Sequence, residues 1–325
     1  MSVIVTGASG FIGTAITRAL AERGTPVISV GRTDPGIENV RHIEWDIRHP
    51  APVDVTRLGN GATAVVHCAA DVRVWAPEDA LQATNVQGTR HVLDAFPKAR
   101  IVHLSSTDVY DPFTVHASVY EEAGPLDPGH YPSPYERAEA LAEGVVHRVR
   151  PDALVLRPRM VYGPGESRWT EEITSHVKKG RIRLPLRGRA RMTLTHVDNV
   201  VAAVLAGLDH SEVRGPVNVG DPEPYVFHEA LNTFLARTGQ DVIAFEPLAS
   251  DLALLAAWRA ERRVRRKGAR PTLTRYVVRH LVRDRTYNLG RLRDLLGVTP
   301  VQGLEPVPED RFAAEHGDTQ RIEFS

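Results

Sequence analysis

The glycine-rich turn near the N-terminus restricts the fold of this chain more than any other feature. The apolar strand Val3–Val5 leads into Gly7, Gly10 and Gly13, and an amphipathic helix pattern then runs to Gly24. In such a turn the first glycine permits a sharp reversal, the second lets a pyrophosphate approach the backbone, and the third lets the helix pack on the strand. The helix N-terminus adds free N–H groups and a positive dipole. This order predicts a dinucleotide site that contains Gly7, Ser9, Gly10, Phe11, Ile12 and Gly13.

The end of the second predicted strand indicates which dinucleotide binds. The strand Pro26–Val30 is followed by Gly31, Arg32 and Thr33. An NAD-specific site carries an Asp or Glu here for the ribose hydroxyls, and this segment has none. The guanidinium of Arg32 can instead donate two hydrogen bonds to a 2′-phosphate. We therefore predict NADP(H) as the cofactor, and the alternative for Arg32 is an ordinary solvent-facing loop side chain.

Strand and helix patterns alternate through the first half of the chain. Further strands are predicted at residues 41–45, 64–68, 100–104 and 153–156, and residues 217–220 form a strand that returns to the sheet. This alternation predicts an α/β fold with a doubly wound parallel sheet (a Rossmann fold) and a smaller C-terminal substrate lobe. We expect the cofactor domain to cover residues 1–162 plus about 192–221, and the lobe to cover 163–191 and 222–325.

Composition excludes several kinds of site. The 40 basic and 40 acidic residues balance, so overall charge gives no reason to expect nucleic acid as a partner. The single cysteine, Cys68, excludes a disulfide framework. The 14 histidines lack metal-ligand spacing, so we expect no metal. Because no targeting segment and no apolar run of membrane-spanning length is present, we expect a cytoplasmic protein.

Motifs along residues 1 to about 300 resemble those of the extended short-chain dehydrogenase/reductase superfamily. Besides the glycine turn they are Asp46, His67-Cys68-Ala69-Ala70, Asn85-Val86-Gln87-Gly88-Thr89, Ser105-Ser106-Thr107-Asp108-Val109-Tyr110, Arg157-Pro158-Arg159-Met160-Val161-Tyr162-Gly163-Pro164-Gly165 and Thr195-His196-Val197-Asp198-Asn199-Val200. The segment Pro271–Tyr276, followed by Gly297–Pro300, is similar to the branch of 3β-hydroxysteroid dehydrogenases and 3-ketoalkanoate reductases.

The resemblance implies positions for the parts of the cofactor. Asp46 and Ile47 are expected to hold the adenine, and Ala69 and Ala70 to pass under the cofactor. The segment from Pro158 to Val161 is expected to flank the nicotinamide, and Ser105 and Tyr135 are expected in the same site.

The resemblance also implies a catalytic Ser or Thr, a Tyr, and a Lys four residues after the Tyr. Ser106 matches the first position, with Thr107 as its neighbouring alternative, and Tyr135 matches the second. Ser133 as N-cap, Pro134 at the first helical position and Glu136 at the third predict a helix start around Tyr135. Residue 139 then lies one turn further on the same face.

Residue 139 is Glu139 rather than lysine, and no Tyr-x-x-x-Lys occurs anywhere in the chain. A lysine about 5 Å from the phenol favours tyrosinate by roughly 3 kcal/mol at an effective dielectric of about 20. The helix N-terminus contributes only about 0.3–1 kcal/mol, and an ionised Glu139 would oppose tyrosinate further. We therefore expect Tyr135 to be a neutral phenol near pH 7, which protonates an alkoxide but is a poor base. Arg159 is a better stand-in cation than Arg137, and Glu139 could instead accept hydrogen bonds from the ribose.

These features predict an NADPH-dependent ketoreductase that reduces a carbonyl of a hydrophobic or polyketide-like small molecule. One alternative is a nucleotide-sugar epimerase or dehydratase, which shares the cofactor motifs but needs tyrosinate as a base. Another is a non-catalytic NADP-binding sensor or scaffold. A ketone or alcohol is the expected partner of a monomer or homodimer.

Residues 258–293 carry thirteen basic and two acidic residues. The simplest interpretation is complementary surface charge. Two further hypotheses are a lid for an acidic or phosphopantetheine-linked substrate, and a membrane-surface helix at Leu252–Arg266, which we do not favour.

Overall fold

The computed structural model of the chain describes residues 2–166, 177, 180–185, 188–237, 244–265, 271, 273–301 and 303–304. Its strands are β1 (Ser2–Thr6), β2 (Val27–Gly31), β3 (Arg41–Glu44), β4 (Ala62–His67), β5 (Arg100–Leu104), β6 (His116–Val119), β7 (Leu154–Pro158), β8 (Val161–Tyr162), β9 (Arg181–Pro185), β10 (Arg191–Met192), β11 (Thr195–His196), β12 (Gly215–Val219), β13 (Tyr225–Val226), β14 (Ala244–Leu248) and β15 (Arg285–Tyr287).

The helices of the described part are numbered in chain order. They are α1 (Phe11–Glu22), α2 (Val53–Leu58), α3 (Glu78–Leu81), α4 (Gly88–Ala95), α5 (Pro134–Val149), α6 (Val197–Asp209), α7 (Phe227–Arg237), α8 (Ser250–Arg265), α9 (Arg275–Leu281) and α10 (Gly290–Asp294). A π-helical turn, Gln82–Gln87, joins α3 to α4, and a 3₁₀ turn, Thr107–Val109, follows β5. None of the helices in these ranges is both long and apolar enough to cross a membrane.

Seven parallel strands form the central sheet in the order β12-β7-β5-β4-β1-β2-β3. Successive side chains of a strand point to opposite faces. On one face Val3 and Val5 pack with Ile16 of α1 and Val204 of α6. On the other face Ile4 lies in a second cluster, which contains Val92 and Phe96 beside α4 and Val146 of α5. The predicted doubly wound parallel sheet is confirmed, and the strand order reverses between β1 and β4, where such folds bind ligands.

A second, four-stranded sheet has the order β13-β10-β15-β6. It combines β6, from the first half of the chain, with three strands from the second half. Two shorter pairs, β8 with β11 and β9 with β14, extend this region. Helices α8 and α9 pack against each other through Ala253, Ala257 and Val278. Much of this lobe was not predicted, because its strands are two to five residues long and lack a repeating pattern.

Candidate active site

The glycine turn between β1 and α1 leaves no room for a Cβ at two of its positions. Gly7 has φ +72°, and a Cβ there would lie 2.7 Å from the backbone nitrogen of Ala69. A Cβ on Gly13 would lie 2.1 Å from the carbonyl oxygen of Gly7. Gly10 is the N-cap of α1, which has no side-chain cap and no acidic residue in its first turn. The turn therefore offers uncapped N–H groups at the switch point of the sheet and fits a dinucleotide pyrophosphate.

Beyond the ends of β2 and β3, one carboxylate lies among arginines. Arg32 is exposed, and no described residue forms an ion pair with it. Arg48 binds Asp46 through two nitrogens, with Nε 3.0 Å from Oδ1 and Nη2 2.5 Å from Oδ2. The hydrogen bond from Arg48 lowers the pKa of Asp46 to about 2, and Arg32 adds a smaller effect in the same direction. The sequence analysis did not single out Arg48, whose only signal was its two-residue spacing from Asp46.

Helix α5 begins at the predicted position and carries Tyr135 in its first turn. Ser133 is the N-cap, its Oγ accepts from the backbone N–H of Tyr135 at 3.3 Å, and Glu136 accepts from the backbone N–H of Ser133 at 3.1 Å. The predicted capping box is present. Tyr135 is 7% exposed, and its ring meets that of Tyr276 edge to face at a centroid separation of 6.0 Å.

The 3₁₀ turn after β5 packs against α5 and carries the second predicted catalytic group. The Oγ of Ser106 accepts from the backbone N–H of Asp108 at 3.1 Å. Because this contact uses a lone pair, the hydroxyl proton of Ser106 is still available for donation. Thr107, its neighbour, is buried.

Glu139 is buried and is hydrogen-bonded to the π-helical turn between α3 and α4. Its Oε1 accepts from Nδ2 of Asn85 at 2.9 Å, and Asn85 also contacts the backbone of Asp71 through its Oδ1 and Nδ2. Burial, reinforced by the negative charge of Asp108, raises the pKa of Glu139 to about 8. Glu139 is therefore mostly a neutral acid at pH 7 and does not act as the anion considered in the sequence analysis.

A polar cluster surrounds Tyr276, whose ring also meets that of Tyr135. The hydroxyl of Tyr276 donates to Oδ2 of Asp108 at 2.8 Å, and its ring lies 4.3 Å from that of His280. His280 Nε2 is 3.2 Å from Glu136 Oε1, and His280 Nδ1 is 3.3 Å from Nη1 of Arg159. Burial and the nearby guanidinium of Arg159 lower the pKa of His280, so its imidazole is neutral. This cluster joins α9 of the second lobe to the start of α5.

A buried ion pair holds Ser105, one of the predicted cofactor residues, in position. Arg157, fully buried, pairs with Glu143, and Arg157 Nε lies 3.1 Å from Glu143 Oε2. The hydroxyl of Ser105 donates to the same Oε2 at 2.7 Å. Arg157 also donates to the hydroxyl of Tyr110 at 3.0 Å and to the carbonyl of Gly124 at 2.8 Å. The position of Ser105 thus depends on a charge pair that has no exposed side.

The remaining predicted cofactor residues lie along the carboxyl edge of the sheet. Ile47 is buried and its carbonyl contacts Nδ1 of His91 at 2.8 Å. Ala69 follows β4 and Val161 opens β8, while Pro158 is the last residue of β7. The structure brings Gly7 and Ala69 together and brings Tyr135, Glu139 and the turn after Ser106 together. Sequence reasoning missed Asp108 and His280, since no local pattern marks a contact between them.

Residues 3–220 match the model of the NAD dependent epimerase/dehydratase family. The match covers more than half of the chain and includes every strand of the central sheet. The chain belongs to this family. Members depend on a nicotinamide dinucleotide, and the glycine turn and parallel sheet described above are consistent with that membership.

Curated relatives of this family member include reductases and dehydrogenases. A 2-alkyl-3-oxoalkanoate reductase of Stenotrophomonas maltophilia is 27% identical, over 94% of this chain and 96% of the relative. A decarboxylating sterol-4-alpha-carboxylate 3-dehydrogenase of Saccharomyces cerevisiae is 24% identical, over 94% and 95% of the two chains. Both support the predicted resemblance to the branch of 3β-hydroxysteroid dehydrogenases and 3-ketoalkanoate reductases.

Solved structures with a similar fold include MoeE5 in complex with UDP-glucose and NAD. It has a TM-score of 0.69 and 24% identity, and the match covers 94% of this chain and 95% of MoeE5. At that identity the similarity shows the fold alone.

Proposed function

We propose that this family member is an NADPH-dependent ketoreductase that reduces the carbonyl of a hydrophobic small molecule to an alcohol. The observation that carries the proposal is that α5 places a neutral acid, Glu139, one turn after the phenol Tyr135, where the family motif has a lysine. This pairing leaves Tyr135 without the cation that would favour tyrosinate. It preserves the proton-donor role that reduction needs.

In this proposal each residue of the site has a role in catalysis or in cofactor binding. Ser106 donates a hydrogen bond to the substrate oxygen, where negative charge develops during reduction. Tyr135 gives its proton to that oxygen. NADPH, when bound, supplies the hydride. Gly7 to Gly13 hold the pyrophosphate, Arg32 holds the 2′-phosphate, and Asp46 and Ile47 hold the adenine. The rest of the cofactor contacts Ala69, Ala70, Ser105, Pro158 and Val161.

The preference for NADPH rests on charge at the adenosine end. Arg32 forms no ion pair with a described residue, and Arg48 gives up most of its donor capacity to Asp46. A free guanidinium beside the ribose site favours the cofactor that carries the additional phosphate. None of Gly31, Arg32 and Thr33 at the end of β2 has a carboxylate, so the ribose hydroxyls of NAD lack their usual acceptor there.

The proposal is tested by comparing NADPH consumption by the wild type with that by one tyrosine variant. Purified protein should consume NADPH when it is given medium-chain aliphatic and alicyclic ketones. Tyr135→Phe should slow this at least tenfold, about 1.4 kcal/mol, while the variant still binds NADPH. Tyr120→Phe is the matched control, because Tyr120 is 62% exposed on the surface.

The outcomes distinguish the proposed enzyme from the alternatives. Tight NADPH binding without turnover of any ketone would favour a sensor or scaffold. Interconversion of nucleotide sugars without net use of NADPH would favour an epimerase. Undiminished turnover by Tyr135→Phe would mean that another group supplies the proton.

A further inference from the structure

A cavity opens on the second sheet, and its lining contains none of the residues assigned above to catalysis or to the cofactor. Its volume is about 430 Å³, which lies within the range of small-molecule sites. The walls come from strands β6, β10 and β15, from the segment that follows β12, and from helix α10. Most of the side chains on these walls are polar, so the cavity suits a polar ligand.

The alternation of side chains along β15 separates this cavity from the candidate active site. Arg285 donates to the carbonyls of Asp111 and Pro112. Burial, together with the nearby guanidinium of Arg159, lowers the pKa of Arg285 to about 10, so Arg285 points to the catalytic side of the sheet. Successive side chains of a strand point to opposite faces. Thr286, the next residue, therefore points away from Arg159, and it lines the cavity.

Two guanidinium groups at the cavity are open to a ligand. Arg191 of β10 and Arg293 of α10 are exposed, and neither side chain forms an ion pair or a hydrogen bond with a residue that the structure describes. Arg191 is held through its backbone, whose N–H donates to Oδ1 of Asp284 at 2.8 Å. A guanidinium is always charged and carries five N–H donors. The two arginines therefore offer uncommitted donors from two different elements of the wall.

The two carboxylates of the lining do not cancel this charge for a ligand. Asp221 is buried, and its Oδ1 accepts from the backbone N–H of His196 and from Nδ2 of Asn199, both at 2.7 Å. Its Oδ2 accepts from the hydroxyl of Tyr225 at 2.8 Å. Both oxygens of Asp221 are thus occupied by donors of the protein. Glu223 is exposed, so two guanidinium groups and one carboxylate remain accessible from the cavity.

A β-bulge places Ser118 in the wall of the cavity. The register of β6 against β15 shifts between Arg285 and Tyr287, where β6 has one additional residue. Ser118 has φ +54°, a left-handed conformation that glycine adopts without strain. Its Oγ has one contact among the described residues, a long one of 3.5 Å from Nδ2 of Asn288. The hydroxyl proton of Ser118 is therefore available to a ligand.

We propose that this cavity binds a phosphate group, with Arg191, Arg293 and Ser118 as its donors. A phosphate group has three strong acceptor oxygens and carries up to two negative charges, so it matches donors that approach from three elements. A carboxylate has two oxygens in one plane and would leave one of these donors unused. Inorganic phosphate and a small phosphate ester both supply this chemistry, and the volume of the cavity accommodates either.

Calorimetric titration of NADPH-saturated protein is the main experiment, because bound NADPH occupies the cofactor site. Sodium phosphate and glycerol 3-phosphate are the two probes, with glycerol and sodium chloride as the neutral and ionic references. At least one probe should bind saturably, and the tighter one distinguishes the free ion from an ester. Arg191→Met and Arg293→Met should each weaken this binding at least tenfold, about 1.4 kcal/mol. Arg18→Met, on the exposed side of α1, is the matched control and should bind like the wild type.

A glycine variant separates binding from folding. Ser118→Gly relieves the left-handed backbone, so its melting temperature should equal or exceed that of the wild type. Its affinity for the phosphate probe should nevertheless fall roughly tenfold, because a hydrogen bond to a charged group is lost. Unchanged affinity in Ser118→Gly would overturn the proposed set of donors.

Three results would overturn the site itself. One is the absence of saturable binding of either probe to the wild type. A second is binding that Arg191→Met and Arg293→Met both leave unchanged. The third comes from titrations without NADPH: phosphate binding that Arg32→Ala abolishes and Arg191→Met retains would belong to the cofactor site. If no ketone is reduced but phosphate binds in the expected pattern, the ketoreductase proposal fails and this site stands.

Discussion

Asn85 and Glu139 are joined by a hydrogen bond of 2.9 Å, in which Nδ2 of Asn85 donates to Oε1 of Glu139. The same amide holds the backbone of Asp71, in the loop after β4, through contacts of 2.7 and 3.1 Å. Glu139 therefore links the proposed catalytic helix to the edge of the sheet. Because burial keeps its carboxyl protonated at neutral pH, this link does not place a negative charge beside Tyr135.

The stability of the protein should depend on pH through Glu139. Folding raises its pKa from 4.5 to about 8, so between these values the folded state binds more protons than the unfolded state. The contribution of Glu139 to stability is therefore most favourable below pH 4.5 and declines as pH rises through 8. Glu139→Gln retains the acceptor for Asn85. It should change the melting temperature little at pH 5 and raise it by several degrees at pH 9, on the order of a few kcal/mol.

Thermal denaturation followed by circular dichroism across this pH range measures the effect. Glu44→Gln on the exposed strand β3 is the control and should give the same small difference at each pH. A stabilisation by Glu139→Gln that is equal at pH 5 and pH 9 would show that Glu139 does not titrate in this interval.

Alcohol oxidation should respond to Glu139 only in alkaline solution. Tyr135 must accept a proton in that direction, and an anion one helical turn away disfavours tyrosinate. Below about pH 8 Glu139 is mostly neutral, so Glu139→Gln should leave oxidation unchanged near pH 7 and raise it above pH 8. Glu139→Lys should raise oxidation at both values, because a cation about 5 Å from the phenol favours tyrosinate by roughly 3 kcal/mol.

The pH profiles of oxidation and reduction by these variants provide the measurement. Reduction should change less than oxidation, since a neutral phenol already donates its proton. An oxidation profile of Glu139→Gln that coincides with that of the wild type at every pH would mean that the carboxyl does not influence Tyr135.

Arg32 should determine most of the preference between cofactors. Wild-type protein is expected to bind NADPH at least tenfold more tightly than NADH, about 1.4 kcal/mol. Arg32→Ala should remove most of that difference by weakening NADPH alone, because its guanidinium is proposed to bind the additional phosphate. Calorimetric titrations of the wild type and the variant with both cofactors measure this difference in affinity. Arg57→Ala, which removes a similarly exposed charge on α2, is the control. A wild type that prefers NADH would contradict the assignment.

Alanine substitutions at two glycines of the N-terminal turn should have different effects on stability and on NADPH affinity. A Cβ at residue 13 would lie 2.1 Å from a carbonyl oxygen of the turn, so Gly13→Ala should destabilise the fold itself. At residue 10 the nearest atom, the carbonyl oxygen of Gly7, is 3.3 Å away, so Gly10→Ala should destabilise the fold much less than Gly13→Ala. Its methyl group would nevertheless occupy the space into which the pyrophosphate is proposed to move, and NADPH affinity should fall at least tenfold.

Melting temperature and NADPH affinity, measured on both variants, separate the two effects. Gly61→Ala is the control, because a Cβ there has its nearest neighbour at 4.0 Å. A Gly10→Ala protein that binds NADPH normally would show that the pyrophosphate does not approach this residue.

Local patterns in the sequence were sufficient for the parts of the molecule that depend on neighbouring residues. The glycine turn was predictable because a Cβ on Gly10 or Gly13 would meet the carbonyl oxygen of Gly7, only a few residues earlier in the chain. The start of α5 was predictable because Ser133, Pro134 and Glu136 complete a cap within four positions. The parallel sheet followed from alternating apolar strands and amphipathic helices, a pattern that each segment carries on its own.

The chemistry of the candidate site depended on contacts between distant parts of the chain. Glu139 is neutral because folding buries it beside Asn85, 54 positions earlier in the chain, and near Asp108. Tyr276 reaches Asp108 across 168 positions. A pKa or an unused hydrogen-bond donor reflects the full surroundings of an atom, including how much water they exclude. The sequence determined which groups are present and which elements carry them. Only the tertiary structure determined which of those groups are charged, because desolvation and long-range pairing exist only once the chain has packed.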